Sequence, residues 1–168
     1  RAGQKYEDIL AFYYKDTALY TVGTYDTAPR IKAEGCTFQS CGISGIKPGT
    51  TTEKLLGKLQ SDGVLSIIDK KGAKKEGTLC TGDSVRNTYD NGLAIFDLPI
   101  VIYGDVDGNG KIDKDDITAL QKHLIRSSIL GGPYLIAADV NHDETVDIMD
   151  MIRLIQYVSD DAKITQED

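Results

Sequence analysis

DVDGNGKIDKDD, Asp105 to Asp116, and DVNHDETVDIMD, Asp139 to Asp150, stand 34 residues apart in the same chain. Each places oxygen-bearing side chains at positions 1, 3, 5, 9 and 12 of a short loop. The first supplies Asp105, Asp107, Asn109, Asp113 and Asp116; the second supplies Asp139, Asn141, Asp143, Asp147 and Asp150. Calcium takes about 6–8 oxygens at roughly 2.3–2.6 Å, and this spacing wraps one loop around one ion. The backbone carbonyls of Lys111 and Thr145, at position 7, complete each shell. The pattern therefore predicts two Ca2+ ions. Position 6 separates the loops: it is Gly110 in the first and Glu144 in the second. The chain turns sharply there at positive φ, which a Cβ disfavours by roughly 1 kcal/mol. The second site is expected to be the weaker one.

A helical pattern follows each loop, and the two halves align. Ile112 matches Val146, Ile117 matches Met151, Leu120 matches Leu154 and Leu124 matches Val158. The spacing i, i+3, i+7 is that of a helix with one buried face. Neither loop is preceded by a strong helical pattern. Residues 93–103 (LAIFDLPIVIY) read as a strand running into the first loop. The second helix also carries Ile148, Ile152 and Ile155 outside its core stripe, where the first has Lys114, Thr118 and Gln121. An apolar stripe beyond the core wants a cover.

Residues 1–102 have a different texture, rich in Thr, Tyr and Gly. CTFQSCGISGI (36–46) reads as a strand and turn, and KPGTTTEKLLGKL (47–59) as a short helix capped by Thr50 or Thr51. Glu53 suits a capping box, and Leu55, Leu56 and Leu59 form the apolar face. VLSIID (64–69) and TGDSVRN (81–87) read as strands, DKKG (69–72) as a turn, and Asn91-Gly92 as another turn. FYYKDTALYTV, with its alternating aromatics, suggests an extra strand pair. The expected fold class is α+β: a β-rich module with one short helix over 1–102, then an all-α unit of two loop-plus-helix calcium repeats over 103–160, then a tail at 161–168.

The loop-plus-helix repeat resembles the dockerin module of cellulosome-type assemblies. The residues that carry the resemblance are VIYGDVDGNGKID, AADVN at 137–141, and Asp at position 12 of both loops. The preceding segment resembles the X module often found before dockerins, through ISGIKPGTT and TLCTGDSV. The resemblance implies a calcium-dependent module that docks onto a cohesin of a scaffoldin or cell-surface protein, with the X module as a stabilising spacer. Carried onto this chain, the partner-binding positions are Lys114, Asp115, Gln121, Lys122 and Arg126 in the first half. In the second half they are Ile148, Met149, Ile155, Gln156 and Asp160, to which the extra apolar stripe adds Ile152. The alternative is a calcium-stabilised spacer or adhesin fragment without a cohesin.

Composition excludes other classes. The net charge is −7 and no basic cluster stands out, which disfavours nucleic acid. No apolar run approaches the ~20 residues of a membrane-spanning helix. Calcium sites of micromolar or weaker affinity stay filled outside the cell, so an extracellular, secreted or surface-associated setting is expected. The chain is expected to be monomeric when free. Cys36, Cys41 and Cys80 lack the spacing of a zinc site; Cys36 and Cys41 are near enough in sequence to bridge, and structural thiols are the plainer reading. No catalytic constellation surrounds His123 or His142, so no enzyme is expected. A calcium sensor is disfavoured as well, since the chain has two Met and no paired full EF-hands.

Overall fold

The computed structural model describes residues 12–13, 20–21, 30–33, 35–39, 42–61, 63–88, 94–160 and 163–166. The fold is mixed α+β, with the strands in the N-terminal part and the longer helices in the C-terminal part. Strands β1 (Phe12–Tyr13), β2 (Tyr20–Thr21), β3 (Arg30–Ala33) and β6 (Leu59–Ser61) form one antiparallel sheet in the order β1-β2-β3-β6. The aromatic-rich segment does supply a strand pair, with Tyr13 opposite Tyr20. Strands β4 (Thr37–Gln39) and β5 (Gly42–Ser44) form a hairpin. Strands β7 (Val64–Ile68), β8 (Ser84–Thr88) and β9 (Ala94–Pro99) form a third antiparallel sheet.

Several boundaries differ from the sequence reading for local reasons. The strand expected over 81–87 starts only at Ser84, because residues 80–83 form a turn closed by Asp83 N–H to the Cys80 carbonyl at 3.2 Å. Helix α1 covers Thr52–Leu56 with Thr51 as its cap, so the third helical residue is Lys54 and Glu53 is one place early for a capping box. The strand read over 93–103 ends at Pro99, beyond which Ile100 bonds to the turn instead, donating to Asp83 O at 2.7 Å and accepting from Gly82 N–H at 3.0 Å. The Asn91-Gly92 turn and Cys41 lie outside the described residues. Cys36 and Cys80 are free thiols, both half-buried.

The two parts share one extended segment. Ile100 and Ile102 face the N-terminal core, with Ile31, Phe38, Ile43, Leu55, Ile67 and Val85. Val101 and Tyr103 face the other way, onto Ala137, Ile136 and Ile164. This is the period-two alternation of extended chain, used here to bury one segment on both faces. All four side chains are at most 2% exposed. Burying each aliphatic side chain is worth roughly 1.5–3 kcal/mol. Backbone bonds pin the same stretch: Val101 N–H to Ile43 O at 2.9 Å, and Gly104 N–H to Ala137 O at 2.8 Å. The junction is therefore packed and hydrogen-bonded on both sides.

Helices α2 (Lys114–Leu124) and α4 (Ile148–Val158) are related by the 34-residue repeat and pack together. Their core holds Leu120 and Leu154, both fully buried, with Ile112, Ile117, Leu124, Val146 and Met151 around them. A short helix α3 (Pro133–Ala138) leads into the second loop. At six residues it is too short for a helical pattern to stand out, although it begins with a proline, as helices often do. Among the described residues, no helix is long and apolar enough to cross a membrane.

Candidate metal centres and partner face

In the first loop, Asp105, Asp107 and Asp116 each offer a carboxylate oxygen, and these oxygens lie within 4.8 Å of one another. The fold thus brings positions 1, 3 and 12 together. Asp105 and Asp116 are fully buried. The loop folds onto their carboxylates. Asp105 Oδ1 accepts from the amides of Asn109 and Gly110 at 3.0 and 3.1 Å. Asp116 Oδ1 accepts from Val106 and Asp107 at 2.7 and 3.0 Å, and its Oδ2 from Asp113 at 2.7 Å. Asp113, at position 9, is the N-cap of α2 and accepts from Asp115 N–H, in a reciprocal capping box with Asp116. Position 12 therefore closes the loop and starts the helix. Asn109 donates its side-chain amide to Asp107 at 2.9 Å, and Lys111 donates its N–H to the Asn109 side chain.

Burial sets the electrostatics. Loss of solvent pushes the Asp116 carboxyl up to about 7, against the lowering effect of its three backbone amide donors. Burial also raises Asp105, with Asp107 adding like-charge repulsion. A buried carboxylate cluster of this kind must either take up protons or hold a cation. The donors are hard oxygens and include no Cys or His, which fits a hard divalent cation such as calcium.

The second loop repeats the same framework with two changes. Asp150 accepts from Asn141 and Asp147 amides at 3.2 and 2.9 Å, and Asp147 caps α4 in a second capping box. Burial raises Asp150, with Asp139 and Asp143 repelling it. Asp139 accepts from Asp143 and Glu144 amides, and Thr145 N–H reaches Asp143. The first change is in the side chains, where the amide Asn141 stands at position 3 in place of Asp107 and the acid Asp143 stands at position 5 in place of Asn109. The second is backbone strain. Glu144 sits at φ +67 and His142, at position 4, at φ +61, where the first loop has Gly110 at φ +85 and Gly108 at φ +72. Glu144 thus adopts the left-handed conformation expected at position 6, and His142, which matches Gly108 in the repeat, shares it. His142 packs its ring edge-on against Tyr103, with centroids 4.1 Å apart, and its Nε2 lies 3.0 Å from the Thr165 carbonyl.

The C-terminal residues also pack against this part. Gln166 accepts from Tyr103 N–H at 2.9 Å and donates to Tyr103 O at 2.8 Å. Ile164 joins the helix core.

The residues expected to bind a partner lie on the outer surface. Ile148, Met149, Ile152 and Ile155 are 51%, 55%, 41% and 41% exposed. Among the described residues, neither the N-terminal module nor Ile164 covers them, so the extra stripe of α4 is open. Lys114, Asp115, Gln121, Lys122, Arg126 and Gln156 are exposed too. The α2 face is charged and polar where the α4 face is apolar.

This geometry, two repeat-related acidic loops each capped into a helix, has a counterpart among known families. Residues 103–164 match the dockerin type I domain. The matched segment thus covers the loops, α2, α3, α4 and Ile164. A solved structure from Acetivibrio cellulolyticus is 28% identical to the chain, over 39% of this chain and 93% of that one, with a TM-score of 0.36. It holds the third cohesin ScaC in complex with the ScaB dockerin, mutated in its N-terminal helix and displaying a type I interaction. None of the curated proteins matches the chain.

Proposed function

We propose that the chain is a calcium-dependent docking unit: a dockerin at 103–160, extended by a packed tail, binds a cohesin and anchors its parent protein in an extracellular, cellulosome-like or cell-surface assembly. Residues 1–102 act as an X module, a stabilising spacer, and the role of the unit is binding rather than catalysis. Asp105, Asp107, Asn109, the Lys111 carbonyl, Asp113 and Asp116 hold the first ion. Asp139, Asn141, Asp143, the Thr145 carbonyl, Asp147 and Asp150 hold the second. Bound calcium would neutralise the buried carboxylates and so fix the two loops that launch α2 and α4.

The observation that carries this reading is the open apolar stripe of α4 on a segment that matches the dockerin type I domain. Ile148, Met149 and Ile155 serve as anchors in a desolvated contact, and Lys114, Asp115, Lys122 and Arg126 form a charged rim. The two faces are chemically unlike, so a cohesin that fits one does not fit the other, and one binding orientation dominates.

The test is capture of the full chain on a panel of immobilised type I cohesins, with and without EDTA. Capture in calcium and its loss in EDTA are expected. Ile155→Asp should abolish capture and leave the melting temperature unchanged, whereas Gln121→Asp should weaken it only slightly. Capture by no cohesin would favour the spacer reading, capture unaffected by EDTA would remove the calcium requirement, and equal losses for the two variants would refute the single orientation.

A further inference from the structure

The turn Leu79–Asp83 of the N-terminal module lies directly on the first loop. Its Thr81 N–H donates to Asp105 Oδ2 at 2.7 Å, from 24 residues away in the chain. Thr81 is almost fully buried, and its hydroxyl is held twice: it accepts from Ile102 N–H at 3.1 Å and lies 3.2 Å from Ile102 O. The turn is braced from behind. Asp83 Oδ2 accepts from Cys80 N–H at 2.8 Å and from Lys75 Nζ at 2.5 Å, and the Asp83 carbonyl accepts from Ile100 N–H at 2.7 Å. Contact with the loop is close: a Cβ on Gly110 would come within 2.9 Å of Leu79 O, and one on Gly108 within 2.7 Å of Thr81 O. The second loop is arranged otherwise. The donors found at Asp139 are the amides of Asp143 and Glu144, both from its own loop.

We propose that Thr81 is a positioning residue of the first metal centre, so that the N-terminal module tunes the first site and leaves the second alone. The inference rests on Asp105 being a metal ligand. A carboxylate oxygen has two lone pairs, so Oδ2 can accept from Thr81 and still face a cation. The amide fixes the rotation of the carboxylate, and the hydroxyl fixes the amide against the strand that leads into the loop. Outer hydrogen bonds of this kind typically change metal affinity about 10–100-fold. Linkage makes the effect mutual: calcium at the first site must hold the turn down by the same factor.

The experiment is calorimetric calcium titration of the full chain in two backgrounds. Asp139→Ala leaves the first site to be read, and Asp105→Ala leaves the second. Thr81→Val keeps the shape and removes both hydroxyl contacts; Thr81→Ser restores them. Thr81→Val is expected to weaken the first site about tenfold, Thr81→Ser to return it to within about twofold, and neither to change the second site. A loss of both sites alike would make Thr81 a general structural residue and overturn the proposal, as would an unchanged first site. Amide hydrogen exchange on the unsubstituted chain gives a check that needs no variant. Calcium should slow exchange of Thr81 N–H by an order of magnitude beyond any change at Leu55 N–H in α1, and equal slowing at both would also overturn it. If the unsubstituted chain takes up no calcium, the assignment of Asp105 as a ligand fails instead.

Discussion

Gly110 and Glu144 occupy position 6 of the two loops, at φ +85 and +67, and substituting each tests how backbone strain is divided between the repeats. Glu144→Gly relieves a left-handed side-chain conformation worth about 1 kcal/mol. Glycine also loosens the unfolded chain, which returns roughly 0.5 kcal/mol. The net gain is about 0.5 kcal/mol, a rise in melting temperature of about 1–2 °C for a chain of this size. Glu144 is exposed and its N–H bond to Asp139 is a backbone contact, so nothing else is lost with the side chain except its charge. Gly110→Ala acts in the opposite sense and more strongly. It adds the left-handed strain, and its Cβ would come within 2.9 Å of both Leu79 O and Cys80 Sγ. Strain and overpacking together predict a loss of about 2–3 kcal/mol, or roughly 5–10 °C. The assay is thermal unfolding in saturating calcium, with Glu144→Gln as the control for charge. A Glu144→Gly melting temperature at or below that of Glu144→Gln would refute the strain argument. Equal and small effects at both positions would refute the close contact between the first loop and the turn.

Protons and calcium should compete at the buried carboxylates. Asp116 is raised from its ordinary 3.8 to about 7 in the fold. Without metal, the folded chain then keeps a proton that the unfolded chain has released, so its contribution to stability is full below about pH 4 and is lost as pH rises through about 7. Apparent calcium affinity should climb over the same window and level off above it; an affinity independent of pH between about 5 and 7 would contradict this. Burial moves Asp105 and Asp150 in the same direction. At the C-terminus, Gln166→Ala removes both bonds to the Tyr103 backbone and should destabilise the chain by about 1–3 kcal/mol. Gln166→Glu should do no better, since an ionised carboxylate cannot donate to Tyr103 O; unchanged melting of either variant would show residues 163–166 to be passive.

Much of the site was legible because a metal loop is a local device. Its donors sit within twelve consecutive residues, so spacing alone named Asp105, Asp107 and Asp116, and the repeat carried the same reading to Asp139 and Asp150. Glu144 at position 6 was legible for the same reason, as a side chain placed where the turn demands positive φ. The apolar periodicity of α2 and α4 separated the core stripe from the extra stripe at Ile148, Ile152 and Ile155, and the fold leaves that extra stripe open. Tertiary structure decided what depends on distant partners. Thr81 meets Asp105 across 24 residues and Gln166 meets Tyr103 across 63, and no local pattern encodes such pairs. The segment Ile100–Tyr103 looked like the end of a strand, yet it is a shared wall, with alternate side chains in two different cores. The short helix α3 was missed because six residues carry too little periodicity to register, and packing of Ala137 and Ala138 holds it instead. Sequence determined where the acidic loops and an outward apolar stripe belong, since both are set by residue spacing along one stretch of chain. Only the folded chain decided what braces them, because burial and long-range hydrogen bonds arise when separate segments meet.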